Sequence, residues 1–198
     1  MARTDGVASQ RPSLQNNSGS GRECSQENSH YREAVARAAT PAIAALVAAN
    51  VPHEVLSYHH DPRNDAFGDE AVAALAAAGV EVSAEQVFKT LVITLPSGLA
   101  VAVLPVPYKL SLKAAAAALG APRAEMADRA AAERSTGYVI GGISPLGQRK
   151  ALPTVVDDSV YAWDRVLCSA GKRGLQVALA PADLVGITGA LTADILAV

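Results

Sequence analysis

The chain has 198 residues, half of them apolar, and 17 Lys and Arg against 19 Asp and Glu give a formal charge of −2. That length suits one domain, and the charge excludes a protein that grips nucleic acid through backbone phosphates alone. No 18-residue apolar run escapes Pro, Gly or charge, and no apolar signal core opens the chain, so no membrane span is expected and the expected location is cytoplasmic.

Residues 1–28 are rich in Ser, Asn, Gln and Gly and hold almost nothing apolar to offset the entropy of ordering them. They read as a disordered extension, ending in a frayed helix across HYREAVARAA, so that residues 1–39 precede a domain over 40–198. Thr40 is a candidate N-cap with Pro41 at the first helical position, and Ile43, Leu46 and Val47 space a helix over 41–49. VPHEVLSYHHD alternates like a half-buried strand and PRNDAFG is a loop. Asp69 and Glu70 then open a helix that Gly79 ends. VFKTLVITL and LAVAVLPV flank Pro96-Ser97-Gly98 as a hairpin, and Ser111 caps LKAAAAAL ahead of Gly120.

RAEMADRAAAER reads as one or two short helices. GYVIGG, ALPTVVD, SVYAWDRVLCSAG and GLQVALA read as strands, Pro181 to Leu184 as a helix, and LTADILAV as a short helix. Strands and helices do not alternate regularly, which disfavours a doubly wound parallel sheet. The expected class is α+β, with a mixed, barrel-like sheet surrounded by helices.

Several residues are candidates for chemistry. Lys89 sits among apolar and β-branched neighbours, facing opposite Phe88 and Thr90. Its first reading is an exposed lysine on an edge strand; its second is an interior cation, which is costly unless paired. In STGYVIGGISPLGQRK, Gly141, Gly142 and Gly147 permit positive φ or close backbone approach, and successive N–H groups there suit a developing oxyanion. Ordinary turn chemistry is the first reading, and Ser144 lacks the Gly-x-Ser-x-Gly elbow of a serine hydrolase. His53, His59 and His60 have no chelating spacing, so no metal is expected. Cys24 and Cys168 read as free thiols. Lys172 and Arg173, between Gly171 and Gly174, read equally as a solvated hairpin tip or as phosphate contacts.

Taken together, VFKTL, VAVLPV, LKAAAAALGA, STGYVIGGISPLGQRK with its following LPT, and SAGKRGLQVALAPADL resemble the YbaK/EbsC family, the cysteinyl-tRNA(Pro) deacylases related to the editing domain of bacterial prolyl-tRNA synthetases. The resemblance spans residues 40 to about 196 in unbroken order. It implies hydrolysis of a mischarged aminoacyl-tRNA, foremost Cys-tRNA(Pro), with the substrate's own thiol attacking its carbonyl and no cofactor. It places the family's essential lysine on Lys89, followed by Thr90, and the substrate-loop glycine on Gly141, beside Gly142, Ser144 and Pro145. The pocket's aromatic pair falls on Tyr58 and Phe67. Gln176 stands where the family often has Asp.

The implied partners are the tRNA acceptor end and prolyl-tRNA synthetase, with Arg149, Lys150, Lys172 and Arg173 as phosphate contacts. The alternatives are a deacylase of the same fold for Ala-tRNA(Pro) or Ser-tRNA, a non-catalytic tRNA- or synthetase-binding module, and a Ser144 hydrolase.

Overall fold

The computed structural model describes residues 40–197. The expected extension, its helix and Cys24 lie outside the described residues. Helix α1 (Pro41–Ala48) starts as its sequence implies, with the Thr40 hydroxyl accepting the Ile43 N–H at 3.3 Å. The same hydroxyl donates to the Ala170 carbonyl, which fastens the helix to a distant turn. Strand β1 (His53–Ser57) follows, then α2 (Phe67–Ala77), with Asp69 and Glu70 in its first turn.

The centre of the molecule is the hairpin of β2 (Val87–Leu95) and β3 (Gly98–Pro105), paired from Phe88 with Pro105 to Leu95 with Gly98. Gly98 at φ +133° closes the turn, a conformation that suits glycine. Helix α3 (Leu112–Ala118), capped by Ser111, leads to a two-residue strand β4 (Glu125–Met126) and to α4 (Arg129–Thr136). After a long irregular run come β5 (Thr154–Asp157), β6 (Val166–Ser169), β7 (Leu175–Leu179), α5 (Pro181–Thr188) and β8 (Leu191–Ala193).

These strands form one mixed sheet in the order β1-β7-β6-β2-β3-β5-β8, with β4 beside the far end of β2. The pairs β2–β6, β3–β5 and β5–β8 are parallel and the others antiparallel. The α+β class and the mixed sheet are as expected. The ladder does not close into a barrel, however; it ends at β1 and β8. Nearly all of β3 is buried, as its place inside the sheet between β2 and β5 leads one to expect. Ile93, Leu104, Val155 and Ile195 fill one core with α3, and Leu75, Val87, Leu167 and Ala178 fill a second under α2. Each of the Leu, Ile and Val side chains contributes about 1.5–3 kcal/mol by leaving water.

Four local expectations are corrected. Residues 123–134 are not only helical: Glu125 and Met126 pair with Thr94 and Ile93 before Asp128 caps α4 through the Ala131 N–H at 3.0 Å. LTADILAV is not a helix, since β8 pairs with β5 and the Ile195 N–H donates to the buried Asp157 carboxylate at 3.0 Å. SVYA is a 3₁₀ turn rather than strand. GYVIGG forms no strand either: Gly141 has φ +84°, which breaks any extended run.

Candidate active site

A cavity of about 350 Å³ opens beside β2. Three regions wall it: residues 87–92 of β2, residues 65–69 at the start of α2, and Ile140, Gly141 and Ile143 of the irregular run. Val106, Met126, Ala127, Ala132, Ser169 and Gln176 complete it.

β2 lies between β3 and β6, so Lys89 is on an interior strand and the edge-strand reading is overturned. Its position follows from the ladder, Lys89 standing opposite Leu104 and next to Phe88, which pairs with Cys168. The ammonium donates to the carbonyls of Val106 at 2.9 Å and Tyr108 at 2.5 Å, where the chain leaves β3. Burial lowers the Lys89 pKa, and the charge of Asp69 on the same cavity wall partly opposes that. A half-buried cation with its stem fixed can attract an anionic ligand without moving far, and the Asp69 carboxylate weakens that attraction in part.

The wall formed by the irregular run is built differently. The Ile140 N–H donates to the Glu133 carboxylate at 2.9 Å, and the Gly142 N–H donates to the Val139 carbonyl at 2.9 Å. A Cβ added to Gly141 would stand 2.6 Å from the Phe67 ring, so only glycine lets the loop lie flat on that ring. The Tyr138 hydroxyl donates to the Leu146 carbonyl at 2.7 Å and anchors the far side. Gly147, at φ +60°, lies so close to Pro41 that a Cβ would come within 2.2 Å of its carbonyl oxygen.

The expected site residues therefore divide. Lys89, Thr90, Phe67, Gly141 and Gln176 meet at the cavity. The Thr90 hydroxyl and the Gln176 side-chain oxygen are buried there with no hydrogen-bond partner among the described residues. Tyr58 is not on the wall; it stands beside Gln176, half-buried, and burial raises its pKa against the hydrogen bonds of Gln176 and Gly174. Gly142 is corrected as an oxyanion donor, because its N–H already serves Val139. Ser144 and Pro145 are corrected as wall residues. Ser144 is fully buried, its hydroxyl accepts the Leu146 N–H at 3.2 Å, and this turn is what the Ser-Pro pair encodes.

The basic residues divide as well. Lys172, Arg149 and Lys150 are exposed. Arg173 is not a free cation at a hairpin tip: Nε and Nη2 donate to the Ile140 carbonyl at 2.9 and 2.7 Å, and its guanidinium stacks 4.8 Å from the centre of the Phe67 ring. Sequence reasoning missed Glu133 and Asp69, which carry no motif of their own. It also missed a pair behind the wall, His60 Nδ1 on the Glu70 carboxylate at 2.6 Å, with the His60 ring 5.8 Å from Phe67. His59 and His60 lie beyond the end of β1 and not within a strand.

Comparison with known proteins bears on this site. A family model of the aminoacyl-tRNA editing domain matches residues 69–187. Over 128 residues the chain is 36% identical to a protein of Enterococcus faecalis (strain ATCC 700802 / V583) named "Putative Cys-tRNA(Pro)/Cys-tRNA(Cys) deacylase EbsC", a match covering 64% of this chain and 78% of that one. A crystal structure described as "a putative trans-editing enzyme for prolyl tRNA synthetase" superposes with a TM-score of 0.63 at 25% identity, covering 74% of this chain and 87% of the other. A second, described as hypothetical protein APE2540, gives a TM-score of 0.68 at 24% identity over 80% and 100% of the two chains, a likeness of fold.

Proposed function

The chain belongs to the aminoacyl-tRNA editing domain family, and from that premise we propose that it deacylates mischarged tRNA, with Cys-tRNA(Pro) as its preferred substrate. The observation that carries this reading is the interior Lys89 facing a cavity in which two buried oxygens, of Thr90 and Gln176, lack partners. Leaving such groups unmade is costly, and a bound ligand relieves it. At about 350 Å³ the cavity suits a small aminoacyl group.

An aminoacyl ester is already activated, so the protein needs to supply less than a peptidase does. The cysteine thiol of the substrate attacks its own carbonyl carbon. A carbon–sulfur bond forms, the carbonyl oxygen gains the charge, and the ester bond to the ribose oxygen then breaks. The sulfur's proton passes through water to that oxygen, and water opens the strained thiolactone afterwards. A well-oriented intramolecular nucleophile supplies roughly 7–11 kcal/mol, which removes the need for a protein nucleophile. Buried Ser144, bonded into its own turn, is not required.

In this scheme Lys89 meets the terminal adenosine's phosphate or neighbouring oxygens. The Gly141 N–H holds the carbonyl oxygen as it becomes negative, and Phe67 closes the aminoacyl pocket. Thr90 and Gln176 accept hydrogen bonds from the substrate's donors. Arg149, Lys150 and Lys172 contact acceptor-stem phosphates. So few contacts give little selection among tRNAs, and we assign that selection to prolyl-tRNA synthetase as a partner. Residues 40–198 carry the activity in this reading, and residues 1–39 are an extension to it.

The test is deacylation of cysteinyl-, alanyl-, seryl- and prolyl-tRNA(Pro) by the purified protein. Cysteinyl-tRNA is expected to be cleaved fastest and seryl-tRNA near its spontaneous rate. Equal cleavage of the seryl ester would rule out thiol assistance, and tight binding without cleavage of any ester would make the protein a binding module.

A further inference from the structure

Arg173 has no part in the scheme above, yet it is tied to the loop more firmly than any other side chain there. Its two donors converge on one acceptor, the Ile140 carbonyl, at 2.9 and 2.7 Å. Its guanidinium plane is held over Phe67, the same ring against which Gly141 lies. On the other side of Ile140, Glu133 takes the N–H at 2.9 Å. Residue 140 is thus gripped at both its donor and its acceptor by oppositely charged side chains.

The peptide between Ile140 and Gly141 is trans, as are all those among the described residues. In a trans peptide the carbonyl and the N–H point in opposite directions across one rigid plane. A carbonyl fixed toward Arg173 therefore turns the Gly141 N–H away from Arg173. Arg173 is not on the cavity wall, whereas Gly141 is. That N–H has no hydrogen-bond partner among the described residues, unlike its neighbours at Ile140 and Gly142. Charge-assisted bonds to the carbonyl also polarise the amide, which strengthens the N–H as a donor.

We propose that Arg173 is a positioning residue which, by holding the Ile140 carbonyl, aims the Gly141 N–H into the cavity as the donor for the developing oxyanion. The proposal rests on the deacylase reading and names the element that sets its oxyanion site. It also separates two uses of the dipeptide Lys172-Arg173: the first residue faces solvent and the second orders the site. A lysine at 173 keeps the charge but lacks the planar fork that makes two bonds to one oxygen and stacks on a ring.

The experiment compares Arg173→Ala and Arg173→Lys with the parent on Cys-tRNA(Pro). Both are expected to lower kcat, by up to about 100-fold for an oxyanion donor displaced by about 1 Å, while KM and the salt dependence of kcat/KM stay as in the parent. Added ethylguanidinium is expected to restore part of kcat to Arg173→Ala and none to a Lys89→Ala control. A full kcat in Arg173→Lys, or a loss in Arg173→Ala that appears in KM with a shallower salt dependence, would overturn the proposal and make Arg173 a phosphate contact. The Gly141 amide resonance in the full-length protein is read in parallel. It should shift in both variants on its own, without substrate. If the parent cleaves no mischarged tRNA, the deacylase reading fails, and that resonance then decides the positioning: unchanged in both variants, it sinks this proposal too.

Discussion

Lys89 and Gly141 face one cavity from supports of different kinds. Lys89 belongs to a strand bonded on both sides, to β3 over eight residue pairs and to β6 at its start, so its position is set by main-chain ladders. Gly141 belongs to a run with no ladder, held by Glu133, Arg173, Phe67 and Tyr138. A ladder tolerates the loss of any one side chain, because its bonds are made by main-chain atoms. A loop held by side chains depends on each of them, and single substitutions can shift its geometry while the sheet stands.

The strongest way to break that contrast is Gly141→Ala. The added methyl would enter the Phe67 ring at 2.6 Å from a backbone at φ +84°, and loss of one oxyanion donor costs about 10²–10³ in kcat. We expect that loss in single-turnover deacylation, with a circular dichroism spectrum like the parent's. Lys89→Ala comes next. A hydrogen bond to a charged group is worth about 1.5–3 kcal/mol, so kcat/KM should fall about 10–100-fold; a parental rate would remove Lys89 from the mechanism.

A third effect separates the two supports by pH. Burial pushes both the Cys168 thiol, on the ladder side, and the Tyr138 hydroxyl, on the loop side, up to about 12 from ordinary values of 9.0 and 10.0. Groups whose pKa is raised on folding stabilise the protein below the unfolded value and lose that contribution as pH climbs toward the folded one. Urea midpoints should therefore fall steadily above about pH 9. Tyr138→Phe should remove the loop's share of that fall and leave the share of Cys168. The smallest effect is that of Lys172→Ala, a rise of about two- to threefold in KM with one phosphate's worth less salt dependence, seen by titrating KCl.

What was legible in the sequence follows the same divide. The helix caps at Thr40 and Ser111 and the β2–β3 hairpin are local events, encoded within a few residues, and they form as the sequence implies. Lys89 could be picked out but not placed, because the strand that makes β2 interior pairs Phe88 with Cys168, 80 residues later. Arg173 was misread for a similar reason: two cations between glycines look like a solvated tip until Ile140, 33 residues earlier, supplies the acceptor. GYVIGG carries the apolar content of a strand, and only the Gly141 torsion and its side-chain anchors exclude one. Gln176 was singled out by resemblance only as a departure from the family's Asp, and its place on the cavity wall and its unpartnered oxygen show only in three dimensions.

The two carbonyls that receive the Lys89 ammonium also limit what that ammonium can give. Of its three hydrogens, those bonded to Val106 and Tyr108 are already engaged. One remains, and its direction is fixed by tetrahedral geometry at the nitrogen. An incoming oxygen consequently meets a single aimed hydrogen in place of a freely rotating cation. The lysine acts as a gauge of where the ligand stops, and an anion arriving from any other angle feels its charge without its bond.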